Sequence, residues 1–349
     1  MGAEDVRARG GVRYRELQAR SLVNRCSSPR MPFAYTANPY RGCAMACRYC
    51  YATYTHEFMG ITDAEEFHSL VYVKTGGWDE TARGLATVVR RGEEIALGTA
   101  TDPYQPGEAQ ARVTRRFLEL CVQHRGLHLS ITTKGALVLR DLDLLQRIQQ
   151  RSRLSVHVSV ISPHADLLRE LEPWAPPPEV RLDVMRRLTE AGIDVRFNLA
   201  PVLPGLTDRE ADLDALMARV AGAGVRRMMH NVLFLRSPTK EKYLRWLEQA
   251  FPRYLKAYEQ AYAGRVYLGG RYRDHVRALV ARLRAKHGFA GHAEDEWPRE
   301  QEQLALWTQG SPTTTNAAQS DGSSGSTIPS PAAERMRTFP ERSRPINAS

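Results

Sequence analysis

The chain lacks any apolar run approaching the length of a bilayer span, and its first eleven residues are polar and charged rather than leader-like. A membrane protein and a secreted one are therefore not expected, and a cytoplasmic location is. Cysteine is scarce, five residues in 349. That is too few, and too unevenly placed, for a disulfide framework. Runs of a single charge sign are also missing, although Lys+Arg at 49 outnumber Asp+Glu at 39 and leave a formal charge of +10. A basic excess is the footprint expected of a nucleic-acid partner. Because the arginines are spread along the whole chain, solvated helix faces explain the excess equally well.

What is present is concentrated in one short stretch. Cys43, Cys47 and Cys50 follow a CxxxCxxC spacing in the segment Asn38-Pro39-Tyr40-Arg41-Gly42-Cys43-Ala44-Met45-Ala46-Cys47-Arg48-Tyr49-Cys50-Tyr51. Iron–sulfur clusters that only carry electrons normally use four thiolates. A local trio without a nearby fourth cysteine points to a four-iron cluster whose last iron is completed by a substrate or cofactor. A zinc site is the rival, with His56 recruited as fourth ligand, since structural zinc is closed by four protein donors. Cys121 lies in the apolar pattern of Phe117, Leu118 and Leu120 and is expected to pack. Cys26 sits among arginines with no evident partner.

Four segments are expected: an arm over 1–31, a core over 32–236, a helical extension over 237–292 and a largely disordered tail over 293–349. The tail is rich in Ser, Thr and Gly and cannot bury enough apolar surface to fold. In the core, β-rich runs at 33–36, 94–99, 127–133, 154–161, 194–200 and 226–233 alternate with helical patterns at 79–91, 108–124, 141–150, 180–191 and 208–221. That alternation marks βα units and a parallel sheet. Gly92, Gly126 and Gly192 are read as helix stops. The aromatics of the extension, including Tyr243, Trp246, Tyr254, Tyr258 and Tyr262, recur mostly three to five apart, as packing residues do.

Side chains alternate across a strand. In the fourth strand Val156, Val158 and Val160 should therefore face the helices, while Ser155, His157 and Ser159 face the interior. A closed α/β barrel normally fills its interior with branched apolar residues, so a polar row predicts a wet, liganded lumen. The third strand offers Ser130, Thr132 and Lys134 on one face, with Lys134 at the C-terminal end where an ammonium can meet a carboxylate. After the second strand, residues 98–108 form a Pro- and Gly-containing loop carrying Thr99, Thr101 and Asp102.

The cysteine loop, with Tyr49 before its last cysteine, resembles the signature of the radical S-adenosylmethionine (radical SAM) enzymes. The resemblance implies a partial (β/α)6 TIM-like barrel, of the α/β class, with a C-terminal helical extension. It also implies a 4Fe-4S cluster on Cys43, Cys47 and Cys50, S-adenosylmethionine chelated to the fourth iron, and a one-electron reductant of flavodoxin or ferredoxin type. Tyr49 would lie beside the adenine, and Thr99 stands where the second strand meets the SAM amino group. The GGE-like motif usual at that strand end is absent.

The order of the segments 38–51, 98–108, 132–144, 171–176 and 200–206 is similar to the spore-photoproduct-lyase-related branch, over roughly residues 30–290. By that likeness Lys134 and Ser159 would contact SAM, and a nucleic-acid substrate is implied. One position departs from the branch: the lyase cysteine that returns a hydrogen atom is matched by Thr99. An O–H bond is much stronger than an S–H bond, so threonine does not take over that donation. Tyr40, Tyr51 and Tyr104 are the candidates for a radical relay, and no catalytic residue is assigned. A non-catalytic zinc- or cluster-bearing nucleic-acid-binding protein is the alternative, and a radical enzyme acting on a protein or small molecule a further one.

Overall fold

The computed structural model describes residues 6–7, 11–26, 31–61 and 63–290. The tail expected over 293–349 lies outside the described residues. The strands are β1 (Val6–Arg7), β2 (Arg13–Gln18), β3 (Val23–Arg25), β4 (Tyr35–Ala37), β5 (Tyr40–Arg41), β6 (Leu70–Thr75), β7 (Glu94–Leu97), β8 (His128–Thr133), β9 (Arg153–Ser159), β10 (Val195–Val202) and β11 (Arg227–Val232). The helices are α1 (Glu66–Ser69), α2 (Trp78–Arg91), α3 (Glu108–Ala111), α4 (Val113–Val122), α5 (Leu142–Gln149), α6 (Ala165–Leu171), α7 (Pro178–Glu190), α8 (Glu210–Gly222), α9 (Thr239–Ala250), α10 (Pro252–Ala261) and α11 (Gly270–His287). A 3₁₀ segment, Tyr51–Met59, follows the cysteine loop.

One sheet runs β11-β10-β9-β8-β7-β4-β3, in which β4 and β7 through β11 are mutually parallel and β3 is an antiparallel edge. Six parallel strands with helices between them are the partial α/β barrel that the alternating pattern predicts. Ile95, Leu97, Ile131, Val156, Val158, Phe197 and Leu199 supply its apolar face, each essentially fully buried. Burial of such a side chain stabilises by roughly 1.5–3 kcal/mol. In the extension, Tyr243, Tyr254, Tyr258 and Tyr262 are also fully buried, so these aromatics pack.

Three local differences from expectation have visible causes. The helix expected over 108–124 is two helices, broken at Arg112, whose φ is 51°. Glu108 forces the break: its carboxylate accepts the Thr114 and Arg115 backbone N–H groups at 3.0 and 3.2 Å, capping α4 from outside. Gly92 and Gly192 do end α2 and α7 in left-handed backbone, whereas Gly126 turns the chain into β8 a few residues after α4 has ended. The arginine-rich arm also contains order. Val23–Arg25 adds to the barrel sheet, and Arg13–Gln18 pairs in parallel with Leu70–Thr75 in a second sheet, β1-β2-β6-β5.

Candidate cluster and cofactor site

The cysteine loop is held from both sides by backbone contacts. On one side the Gly42 carbonyl accepts the Thr101 hydroxyl at 2.6 Å and the Gln105 amide at 3.3 Å, while Gln105 Oε1 accepts the Ala44 N–H at 2.9 Å. On the other, the Cys43 N–H donates to Phe67 at 3.0 Å, and the His68 ring nitrogen Nδ1 lies 2.9 Å from the Cys43 carbonyl. Arg48 and Trp174 N–H groups tie the loop to residues 171–174. From the extension, the Thr239 hydroxyl donates to the Cys50 carbonyl at 2.9 Å and meets Thr53 Oγ1 at 2.6 Å.

Gly42 has φ 86°, and a Cβ there would lie 2.7 Å from the Leu70 carbonyl and 2.9 Å from that of Phe67. Gly42→Ala should therefore shift the loop by itself. We expect reconstituted iron per chain to fall at least about twofold, with a loss of roughly 2–3 kcal/mol in folding stability. Wild-type iron content and stability would contradict this tight fit.

All three cysteines are free. Burial pushes the Cys43 thiol up to about 12 and raises Cys47 and Cys50 as well. Backbone N–H groups of Asp102 and Met45 point at the Cys43 sulfur, and that of Ala52 at Cys50. Burial therefore favours the protonated thiols, and a bound cation would favour thiolates that these N–H groups are placed to stabilise. Among the described residues no three His, Cys, Asp or Glu donors converge on the geometry of a single ion. A four-iron cluster does not ask for that convergence, because each thiolate holds a different iron. His56 is fully buried, with Nε2 3.1 Å from the Leu70 carbonyl, Nδ1 without a hydrogen-bond partner among the described residues, and the ring edge-on against Phe67 and Tyr72.

Lys134, Tyr49 and Cys47 come together. Lys134 Nζ lies 5.8 Å from the centroid of the Tyr49 ring. Burial works against its charge, but a thiolate at Cys47, and then the Glu172 carboxylate, would hold the ammonium above its usual range. Among the described residues Nζ makes no hydrogen bond. The Tyr49 hydroxyl donates to Glu172, whose other oxygen accepts Arg181; both members of that ion pair are buried. Arg181 Nη1 donates in turn to the Ser159 carbonyl at 3.0 Å.

Ser159 and Asn198 are register partners on β9 and β10, and Asn198 Nδ2 donates to Ser159 Oγ at 3.0 Å. Asn198 Oδ1 is buried without a hydrogen-bond partner among the described residues, an arrangement that fits a ligand donor in the lumen. Ser155 Oγ and His157 Nε2 meet at 3.1 Å on the same strand face. Burial, with Arg196 adding to it, pushes His157 down to about 3, so it is a neutral interior histidine.

Thr99 sits across the mouth. Its hydroxyl accepts from Asn38 Nδ2 at 3.0 Å, and its carbonyl accepts the Tyr51 hydroxyl. Asp102 joins two strand ends, accepting the Thr133 hydroxyl and the Lys134 N–H, both at 2.7 Å.

Sequence inspection missed Asn198, the Glu172–Arg181 pair, and the Asn38, Gln105 and His68 braces. Asn198 was within reach, because alternation along the fifth parallel strand places it on the interior face just as it does Ser159. The braces carry no local signal, since their partners lie about 25 to 62 residues away.

Comparison with known proteins agrees with this geometry. The family model described as the radical SAM superfamily matches residues 37–218. An uncharacterized protein of Mycobacterium tuberculosis is 36% identical over 282 residues, 80% of this chain and 83% of that protein. One of Methanocaldococcus jannaschii is 29% identical over 198 residues, 56% of this chain and 70% of its own length. Among solved structures, spore photoproduct lyase complexed with dinucleoside spore photoproduct superposes with a TM-score of 0.59 at 16% identity, over 79% of this chain and 80% of that one. A lyase variant with bound AdoMet and the same dinucleoside gives 0.57 at 16% identity, covering 78% and 80%. At that identity the likeness concerns the fold. Among the described residues no helix is long and apolar enough to cross a membrane. With the family match spanning the cysteine loop and the parallel strands behind it, this chain belongs to the radical SAM superfamily and is a radical SAM enzyme.

Proposed function

We propose that Cys43, Cys47 and Cys50 hold a 4Fe-4S cluster and that the lumen beside them takes S-adenosylmethionine. The single observation that carries this is the position of Lys134, an ammonium without a hydrogen-bond partner among the described residues, beside Cys47 and over Tyr49. When bound, the cluster and SAM supply one-electron reductive cleavage to a 5′-deoxyadenosyl radical that abstracts hydrogen from the substrate. The chain's own residues bind and orient. Lys134 would pair with the SAM carboxylate, Ser159 and Asn198 would hydrogen-bond its polar edge, Tyr49 would flank the adenine, and Thr99 would stand at the amino-group end. Residues 32–236 would form the catalytic core and 237–292 an extension that braces it.

Lys134→Met should weaken SAM binding by about tenfold, equivalent to ~1.4 kcal/mol, with cluster content unchanged. Equilibrium binding to the anaerobically reconstituted protein checks it. An unchanged dissociation constant would remove Lys134 from the site.

We further propose a nucleic-acid substrate. The net charge of +10 supports it, as does the likeness in fold to spore photoproduct lyase, whose solved complex contains a dinucleoside. Thr99 argues that the reaction is not splitting of the spore photoproduct, because a hydroxyl does not replace a thiol as hydrogen-atom donor. Binding to single-stranded DNA or RNA should weaken steeply between about 50 and 200 mM salt, as phosphate contacts require. Binding that is absent, or indifferent to salt, would turn the search to protein or small-molecule substrates. About one zinc per chain in colourless protein would favour a non-catalytic binding protein instead.

A further inference from the structure

The two faces of the small sheet are unlike. Tyr14, Tyr40 and Val71 are buried; Tyr14 packs on Gly107, and Tyr40 donates to Glu108. On the opposite face, register sets Arg15, Tyr72 and Arg41 side by side in one row and Leu17 with Lys74 in the next. Leu17, Arg41 and Lys74 of this face line a groove of about 490 Å³, walled by Met59 and the β2–β3 connection, with Arg20 also lining it and Tyr72 the register neighbour of Arg41. Arg20, Arg41 and Lys74 have no carboxylate partner among the described residues. The acid that lines the groove, Glu80, is already paired with Arg83. The groove therefore carries uncompensated positive charge.

From the middle of that row a packed path leads inward. The Tyr72 ring meets His56 at a centroid distance of 6.0 Å, His56 meets Phe67 at 5.1 Å, and Phe67 meets His68 at 5.1 Å. His68 ends the path with Nδ1 2.9 Å from the Cys43 carbonyl. His56 and Phe67 are fully buried and His68 is nearly so, so the path runs through the packed interior. A second route is covalent, because Arg41 stands two residues before Cys43.

We propose that this groove docks an acidic one-electron donor protein, and that Tyr72, His56, Phe67 and His68 form the medium through which its electron reaches the metal centre at Cys43. The proposal rests on the cluster assignment above. In the step the donor is oxidised by one electron and the cluster is reduced by one. No bond forms or breaks, no proton moves, and the rings act as a tunnelling medium without being oxidised themselves. Charge complementarity would steer a small, transient encounter of the kind electron-transfer partners use. A nucleic acid would also find cations here but would have no use for a packed path to Cys43.

The test uses full-length reconstituted protein and photoreduced flavodoxin, with stopped-flow bleaching of cluster absorbance as the readout. In the Arg20→Glu, Lys74→Glu double variant, flavodoxin affinity and the flavodoxin-driven reduction rate should both fall at least about tenfold at low salt. The wild-type rate should fall as salt rises. Reduction by dithionite, and dithionite-driven SAM cleavage, should stay within about twofold of wild type, which shows that the variant is folded and loaded. Tyr72→Leu should slow flavodoxin-driven reduction while leaving flavodoxin affinity in place. An unchanged flavodoxin rate in the double variant overturns the proposal. So does an unchanged rate accompanied by lost oligonucleotide binding, which would give the groove to nucleic acid. Wild-type protein that cleaves SAM with dithionite yet shows no saturable, salt-sensitive reaction with flavodoxin sinks the groove alone. Wild-type protein that takes up no cluster sinks the proposed function, and this route with it.

Discussion

Replacing Cys50 by alanine should leave a folded, nearly colourless protein that no longer makes 5′-deoxyadenosine. Two thiolates are too few to retain a cubane cluster that normally has four ligands, one of which the proposed function draws from outside the protein. After anaerobic reconstitution, iron should drop from about four atoms per chain to below one, and the reduced-cluster EPR signal should vanish. SAM cleavage should fall by on the order of 1,000-fold or more, equivalent to over ~4 kcal/mol in the barrier. Folding should survive because Cys50 is only partly buried and its carbonyl, which Thr239 holds, remains in place. A Cys50→Ala protein that keeps its full iron content and turnover would mean that the trio does not hold the metal. Cys47→Ala should behave alike, with a larger stability loss because that side chain is buried.

The second large effect concerns stability. Glu172 and Arg181 are almost completely inaccessible, at 0% and 1% side-chain exposure. Burial alone would raise the Glu172 carboxyl, but Arg181 and then Lys134 hold it below its usual range. Glu172→Gln keeps the shape and an oxygen for Tyr49 while leaving the guanidinium without its counter-charge. Removing one partner of a buried pair typically costs about 3–5 kcal/mol, because the remaining charge is stranded. The urea midpoint should fall accordingly at pH 7. Replacing both partners, with Glu172→Leu and Arg181→Met, should be milder than either single change, since the desolvation cost disappears with the charges. A loss under about 1 kcal/mol for Glu172→Gln would show that Arg181 is compensated elsewhere.

The barrel was legible because its strands alternate. Val156 and Val158 against Ser155, His157 and Ser159 announce two faces, and the structure supplies a buried apolar face and an interior polar one. The cysteine loop was legible because its chemistry lies within eight residues. The small sheet was not: Arg13–Gln18 reads as an arginine-rich arm, and its parallel partner Leu70–Thr75 lies 57 residues on. A parallel pairing at that distance leaves no turn signal. The break at Arg112 was hidden for a similar reason, since Glu108 reaches around to cap a helix that composition would continue without interruption.

The Thr239 hydroxyl that closes on the Cys50 carbonyl has an implication for biogenesis. Its donor is encoded 189 positions downstream of its acceptor. While the ribosome works through the intervening stretch, the nascent thiol loop stands without that clasp. The loop is thus fully clasped only once residue 239 has been made, so a metal centre of the kind proposed would be enclosed late in synthesis.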